Sequence, residues 1–186
     1  MRTFIAIEIS NEIKTVLDRI ESHLKYSGAD IKWVKPENIH ITLKFLGEVK
    51  EEKIKELKMV LDEVGKITRP FDISIKEIGA FPRIEFPRVI WVGLDKGAAE
   101  STALAAKVEE ALSGIGFQKE TRPFASHLTI GRVRSPKNRE ALKEKVTGYK
   151  SPISGHQTVS SIILFQSTLT PKGPIYTKLH ESAFRA

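Results

Sequence analysis

The chain has 186 residues, a formal net charge of +7 and no cysteine. This length can bury a substantial core, and the lack of cysteine excludes disulfides, thiolate metal sites and a cysteine nucleophile. No apolar stretch has the length of a signal peptide or a membrane span, so the sequence predicts a cytoplasmic protein with no membrane partner. The basic excess either suits a polyanionic partner such as RNA or only hydrates the surface. Few Asn and Gln beside many Lys, Glu and Ile fit a thermophilic source.

The first half of the chain predicts strands and helices in alternation. The apolar run 4–9 is typical of a strand, and apolar residues at helical spacing predict a helix from about Asn11. A short strand over 31–34 precedes a longer one that begins at His40. A second helix is predicted from near Glu51, followed by an alternating strand over 71–75.

The second half repeats this order. Residues 89–92 predict a strand and residues 99–112 a helix. A strand then begins at His127, a helix opens near Asn138, and strands close the chain, notably over 161–165.

The spacing of corresponding residues and helices in the two halves indicates an internal duplication. His127 follows His40 by 87 positions, and the helix near Asn138 follows the helix near Glu51 by the same interval. A repeat of this kind predicts an α+β fold with two antiparallel-sheet lobes, helices outside, and a central cleft on a pseudo-two-fold axis. We expect one bilobal domain over 1–186, with internal halves of about 1–80 and 87–170 and C-terminal strands that complete the lobes.

Each half carries one copy of a four-residue motif, His40-Ile41-Thr42-Leu43 and His127-Leu128-Thr129-Ile130. Side chains alternate along a strand, so each copy buries its apolar pair and presents an imidazole beside a hydroxyl. Histidine titrates near neutrality, so two imidazoles in one cleft can hold opposite protonation states. The two hydroxyls can donate hydrogen bonds to phosphate oxygens. The pattern therefore indicates acid–base chemistry on a phosphodiester.

With these motifs, the chain resembles the 2H phosphoesterase superfamily, which is named for paired His-x-Thr-x motifs. Within it, the chain is most similar to the RNA 2′,3′-cyclic phosphodiesterases long called 2′-5′ RNA ligases. The similarity runs nearly end to end and is carried by the opening residues 2–7 and by the stretches 33–47, 87–94, 124–132, 166–167 and 173–176. One departure is Ser126, which stands where the family often has proline before the second histidine.

The resemblance implies roles for six residues. It implies that the 3′ oxygen leaves to give a 2′-phosphate end, with His127 as the base that activates water and His40 as the acid. The residues themselves leave that assignment open, because the halves are nearly symmetric. Thr42 and Thr129 are expected to bind the phosphate. The family also uses an aromatic residue five positions after the first histidine and an arginine five positions after the second, here Phe45 and Arg132.

Strict alternation places Phe45 and Arg132 on the face opposite the histidines, because five is an odd number. A bulge near Gly47 and Gly131 would re-aim them. Phe45 would then stack on a base and Arg132 would neutralise the phosphate. Ordinary core packing is an equal alternative for Phe45, and an exposed surface cation is the alternative for Arg132.

Other functions stay open from the sequence. The same residues would serve 2′-5′ ligation of tRNA halves, and a basic module that binds RNA without catalysis is a third alternative. Neither motif contains a carboxylate, and the chain has no Gly-Lys-Thr phosphate loop, so no metal and no cofactor are expected. The expected partner is RNA ending in a 2′,3′-cyclic phosphate, bound by a monomer.

Overall fold

The computed structural model describes residues 1–185 and contains two antiparallel sheets and four α-helices. The helices are α1 (Asn11–Lys25), α2 (Glu51–Lys66), α3 (Ala98–Ser113) and α4 (Arg139–Thr147), and a 3₁₀ turn covers Pro36–Asn38. The strands are β1 (Arg2–Glu8), β2 (Ile31–Trp33), β3 (His40–Glu48), β4 (Phe71–Phe81), β5 (Val89–Leu94), β6 (His127–Val133), β7 (His156–Val159), β8 (Ser161–Thr170) and β9 (Gly173–Ala183).

Local sequence explains where the longer helices begin and which face they bury. Ser10 caps α1, because its hydroxyl accepts a hydrogen bond from the Ile13 amide. Apolar residues on one side of α1 and α2 are fully buried in the main core. All four predicted helices are present, and their starts lie within one residue of the prediction.

The two sheets have matching strand orders. The first sheet, sheet A, runs β3-β1-β8-β9, and the second, sheet B, runs β2-β6-β5-β4-β7. The series β3-β1-β8 corresponds to β6-β5-β4, with each motif strand beside the first strand of its own half. The predicted α+β duplicated fold is confirmed.

The lobes do not coincide with the sequence halves. β4 comes from the first half but pairs with β5 in sheet B, while β8 comes from the second half and pairs with β1 in sheet A. The helices cross over as well: α2 and α3 pack together against sheet A, and α1 packs against α4 and β7 of sheet B. Each lobe is therefore built from both halves.

Hydrophobic packing occupies two layers. The main core joins α1, α2 and α3 to the inner faces of both sheets. A smaller cluster lies on the other face of sheet A, formed by Phe4, Ala6, Ile163 and Phe165, with Tyr176 against it. Within residues 1–185, no helix combines the length and apolarity needed to cross a membrane.

Candidate active site

The two motif strands lie next to each other where the sheets meet. Cα atoms of β3 and β6 approach within 8 Å. Both strands show the same order of exposure over their first six residues, with the motif histidine and threonine half-buried and the apolar residues of the motif buried. The duplication therefore extends to the orientation of individual side chains.

Both imidazoles are fixed by the same backbone contact. His40 Nδ1 lies 2.9 Å from the Asn38 carbonyl oxygen, and His127 Nδ1 lies 2.7 Å from the Ala125 carbonyl oxygen. A carbonyl oxygen only accepts hydrogen bonds, so Nδ1 carries the proton in each ring. Nε2 is then the nitrogen that takes up or gives a proton, and the tautomer is set by a bond two residues back along the chain.

A bulge in each motif strand turns the residue five positions after the histidine toward the face that carries the histidine. Leu43 has no partner in the pairing of β3 with β1, and Ile130 has none in the pairing of β6 with β5. Each unpaired residue shifts the alternation by one, so Phe45 and Arg132 leave the buried face and become exposed. The predicted re-aiming is confirmed. In β6 the bulge lies beside Gly131 as expected, whereas β3 has its bulge at Leu43 and a second irregularity at Leu46, before Gly47.

The ring of His40 lies against aromatic side chains. Phe4 stacks on it at a centroid distance of 4.7 Å, and Tyr176 meets it edge-on at 5.4 Å. The ring centroids of Phe45 and Phe4 are 6.0 Å apart. Burial lowers the pKa of His40 from 6.5 to about 4, the hydrogen bond to Asn38 raises it in part, and the charge of His127 lowers it further. His40 is therefore neutral in the free protein near pH 7 and is close enough to His127 to sense its charge.

The ring of His127 has a different aromatic neighbour. Phe81, at the end of β4, meets it edge-on at 5.0 Å and lies 5.2 Å from Trp91. The Trp91 indole covers Gly79, where any Cβ would lie 2.2 Å from the ring. Gly79 thus leaves the space for a flat aromatic surface beside the second motif.

The charge of Arg132 reaches the aromatic side chains around His40. Burial raises the pKa of Tyr176, and the positive charges of Arg132 and Arg2 act in the opposite direction. Tyr176 also contacts His40, so it connects the arginine of one motif with the histidine of the other. The charge of His127 thus acts on His40, and the charge of Arg132 acts on Tyr176, which contacts His40.

Lys44 links the two halves behind the site. The bulge at Leu43 turns Lys44 inward, where its side chain is 3% exposed. Its Nζ donates to Glu109 Oε1 of α3 at 2.8 Å and to the Gln118 carbonyl oxygen at 2.8 Å. Gln118 belongs to the segment between α3 and β6 that leads to His127. This contact ties the strand of the first histidine to the approach of the second.

Sequence reasoning assigned no role to Phe4, Tyr176, Phe81 or Trp91. The run 4–7 in β1 is apolar throughout, because both faces of the strand are covered, and so shows no alternation that would single out Phe4. Tyr176 reaches the site only because β9 pairs with β8. Among residues 1–185, no group of three His, Cys, Asp or Glu side chains is arranged to hold a metal ion. A cavity of about 650 Å³ lies elsewhere, between α2 and β9.

Comparisons with known proteins agree with this architecture. The family model "LigT like Phosphoesterase" matches the chain twice, over residues 7–91 and 92–176. The chain belongs to the LigT-like phosphoesterase family. The two consecutive matches confirm the duplication, and the family prediction made from the motifs is confirmed.

Relatives of known name cover almost the whole chain. A protein of Methanocaldococcus jannaschii named RNA 2′,3′-cyclic phosphodiesterase is 42% identical over 97% of this chain and 99% of its own length. A protein of the same name from Archaeoglobus fulgidus is 44% identical over 96% of this chain and 98% of its own length.

Solved structures share the fold. The TT0787 protein of Thermus thermophilus superposes with a TM-score of 0.84 at 25% identity, covering 100% of this chain and 98% of that one. Escherichia coli LigT in complex with 3′-AMP superposes with a TM-score of 0.76 at 26% identity, with the same coverage.

Proposed function

We propose that this protein hydrolyses RNA 2′,3′-cyclic phosphate ends to 2′-phosphates, with His40 and His127 as the pair that transfers protons. The observation that carries the proposal is the matched pair of imidazoles, each with Nδ1 bound to a backbone carbonyl and Nε2 left for chemistry. The names of the relatives and their full-length similarity support the same substrate.

The reaction needs one proton removed and one delivered. A base at one Nε2 takes a proton from water, whose oxygen attacks phosphorus while the bond from phosphorus to O3′ breaks. An acid at the other Nε2 protonates the departing O3′. By family resemblance, His127 is the base and His40 the acid. Thr42 and Thr129 donate hydrogen bonds to the non-bridging oxygens, and Arg132 balances the phosphate charge.

The low pKa of His40 has a consequence for this assignment. A protonated imidazole with a pKa of about 4 is a strong acid toward a departing alkoxide, but in the free protein near pH 7 the His40 ring is neutral and its Nε2 carries no proton. The anionic phosphate and its approach to His40 favour the charged imidazole. We therefore infer that substrate binding raises the pKa of His40, so that its Nε2 becomes protonated in the complex.

Phe45 is proposed to stack on the terminal base. It is 59% exposed on the histidine side of β3, although it is a large apolar side chain. An exposed aromatic ring beside a phosphate site is typical of nucleotide binding. The equal alternative of core packing is not supported by this exposure.

Both histidines come from one chain, so we propose that the monomer is sufficient for activity. An RNA-end substrate also favours a cytoplasmic location. Halves of tRNA that end in a cyclic phosphate are candidate substrates. Joining them 2′-5′ would be the same transfer with an RNA 5′-hydroxyl in place of the attacking water, and O3′ would again depart. No metal or nucleotide enters this chemistry, because two imidazoles supply both proton transfers.

The test uses a short RNA with a 2′,3′-cyclic phosphate end, the purified protein and EDTA. We expect hydrolysis to a 2′-phosphate, and we expect His40→Ala and His127→Ala each to lose about 10²–10⁴-fold in rate. The double variant should be little slower than either single variant, because the pair acts as a unit. Near-normal turnover by either variant, or activity that EDTA removes and a divalent ion restores, would contradict the proposal.

A further inference from the structure

A half-exposed aromatic ring with two arginines lies beyond the end of β4. In the turn between β4 and β5, the Arg83 guanidinium carbon lies 4.9 Å from the Phe86 ring centroid, and the Arg139 guanidinium carbon, at the start of α4, lies 4.7 Å from it. Phe86 remains 51% exposed. We call Arg83, Phe86 and Arg139 the arginine platform. None of its members has a part in the reaction described above.

The platform is held in place by contacts on both sides. The Arg88 amide donates to the Phe81 carbonyl oxygen at 2.8 Å and so closes the turn. Lys143 Nζ of α4 lies 3.8 Å from Glu85 of the turn. Each guanidinium lies within cation–π distance of the Phe86 ring, and this shared attraction holds the two cations near each other. The order is therefore present before any partner binds.

The platform also has unused hydrogen-bonding capacity. Arg139 Nε is buried and has no hydrogen-bond partner, since the nearest carboxylate oxygen, from Glu140, is 3.9 Å away. A buried donor without a partner costs free energy, and a phosphate oxygen would reach this nitrogen only after the Arg139 side chain moves. Guanidinium groups match phosphate oxygens in geometry as well as charge.

The platform begins next to the active site. Phe81, the last residue of β4, contacts the His127 ring and pairs with Val89, which in turn pairs with Arg132. Arg132 also pairs across with Lys32 of β2. Arg132 and Lys32 thus lie at the same end of sheet B as the turn that carries the platform.

We propose that the arginine platform binds backbone phosphates of the RNA strand on the 5′ side of the cyclic end. This inference rests on the proposed function for the identity of the strand. The terminal nucleotide occupies the two-histidine site, and the chain that leads to it passes over the end of sheet B. Arg83 and Arg139 hold phosphates of that chain, and Phe86 sets the spacing of the two cations. The platform therefore acts on longer RNA and does not contact a single nucleotide.

The test compares two substrates, a cyclic mononucleotide and an RNA of about eight nucleotides with a cyclic phosphate end. Arg83→Gln and Arg139→Gln should each raise the KM for the RNA by about tenfold at low salt, the effect of one charged contact. The KM for the mononucleotide should stay unchanged for both variants. Phe86→Leu should raise the KM for the RNA by less, because both cations remain but lose their fixed spacing.

Salt dependence distinguishes a phosphate contact from a general loss of structure. Between about 50 and 200 mM salt, each arginine variant should lower the slope of log affinity against log salt by about 0.7 per lost contact with a single strand. Arg69→Gln is the matched control, since it removes the same charge at the opposite end of β4, roughly 30 Å away along the strand. This control variant should leave the KM for both substrates unchanged.

A binding measurement separates this inference from the proposed function. Fluorescence anisotropy with the same RNA bearing a 2′-phosphate end reports affinity whether or not hydrolysis occurs. Loss of affinity in the arginine variants supports the platform even if the wild type hydrolyses neither substrate, which would contradict only the proposed function. Unchanged affinity for the RNA, or an equal change for the mononucleotide, would overturn the platform.

Discussion

At the scale of single residues, His40 and His127 share a backbone contact but not an environment. Both imidazoles keep the proton on Nδ1. His40 lies among Phe4, Tyr176 and Phe165, whereas Phe81 is the aromatic neighbour of His127. Environment, and not tautomer, therefore distinguishes the two histidines, and this is the general way in which proteins separate acids from bases.

The pKa of His40 gives a pH prediction with a defined sign. In the free protein its pKa is about 4, so the imidazole is neutral at about pH 7. A bound phosphate monoester favours the charged form and, if His40 is the acid, should raise that pKa to near neutrality. Because binding then takes up a proton, affinity for the monoester should increase as the pH falls from the bound pKa toward 4.

Nuclear magnetic resonance titration of the His40 ring, with and without a nucleoside 2′-phosphate, measures this shift. His127→Ala serves as the control, since it removes the neighbouring charge that lowers the pKa of His40. If the ring stays neutral when the ligand is bound, His40 is the base and the two roles are reversed.

At the scale of elements, the bulges in β3 and β6 decide which residues reach the site. The bulge at Leu43 has two effects: it turns Phe45 outward and Lys44 inward. At the equivalent place in β6, Gly131 turns inward, and its missing side chain makes room for Ile31 and Trp33 of β2. The same irregularity thus supports a buried cation in one strand and close packing in the other.

The Lys44 contact should be important for stability. Lys44→Met leaves Glu109 and the Gln118 carbonyl without their partner, and we expect the free energy of unfolding to fall by about 3 kcal/mol, as is typical when a buried pair loses one member. Denaturant titration measures the change. The double variant Lys44→Met with Glu109→Leu should recover part of the loss, because no carboxylate is then left unpaired. Additive losses would contradict the role of the pair.

Element type and the repeat were predictable from periodicity, but side-chain direction was only partly so. Helix starts followed from apolar spacing, and the odd offset of Phe45 and Arg132 already required a bulge. The bulge at Leu43 has no local signal, because neither Leu43 nor its neighbours are residues that favour one. The aromatic surroundings of His40 depend on strand pairing between distant segments, 4, 165 and 176, which periodicity does not report. The roles assigned to the six site residues and the single-domain boundaries stay predictions.

At the scale of the whole molecule, the exchange of strands and helices between the halves makes them interdependent. Sheet A needs β8 from the second half, and sheet B needs β4 from the first. Alone, the first half would leave β4 without either of its partners, β5 and β7, and the second half would leave β8 without β1. The chain should therefore fold as one cooperative unit, although its sequence repeats.

Cleavage in the turn over 82–88 tests this interdependence. With a protease site inserted there, a chain cut after folding should elute as one species and keep its circular dichroism spectrum, because many contacts join the halves. The same two pieces expressed separately should each be unfolded. A separately expressed piece 1–85 that unfolds cooperatively would contradict this expectation.

The two motif strands have matching bulges and matching histidine tautomers. The floor of the site is therefore nearly the same after a rotation of half a turn about the pseudo-two-fold axis. A cyclic phosphate rotated by that half-turn would offer its O2′ to the same donor, and the product would be the regioisomer with a 3′-phosphate. Direction must then come from features in which the two lobes differ, among them Phe45 opposite Arg132 and the different aromatic neighbours of His40 and His127. Phe45→Leu should then increase the 3′-phosphate fraction of the product, whereas Thr42→Val slows the reaction at an unchanged ratio of isomers. If the ratio of 2′- to 3′-phosphate is unchanged in Phe45→Leu, Phe45 does not determine which oxygen departs. We therefore expect the regiochemistry of hydrolysis to depend on this aromatic ring and this cation.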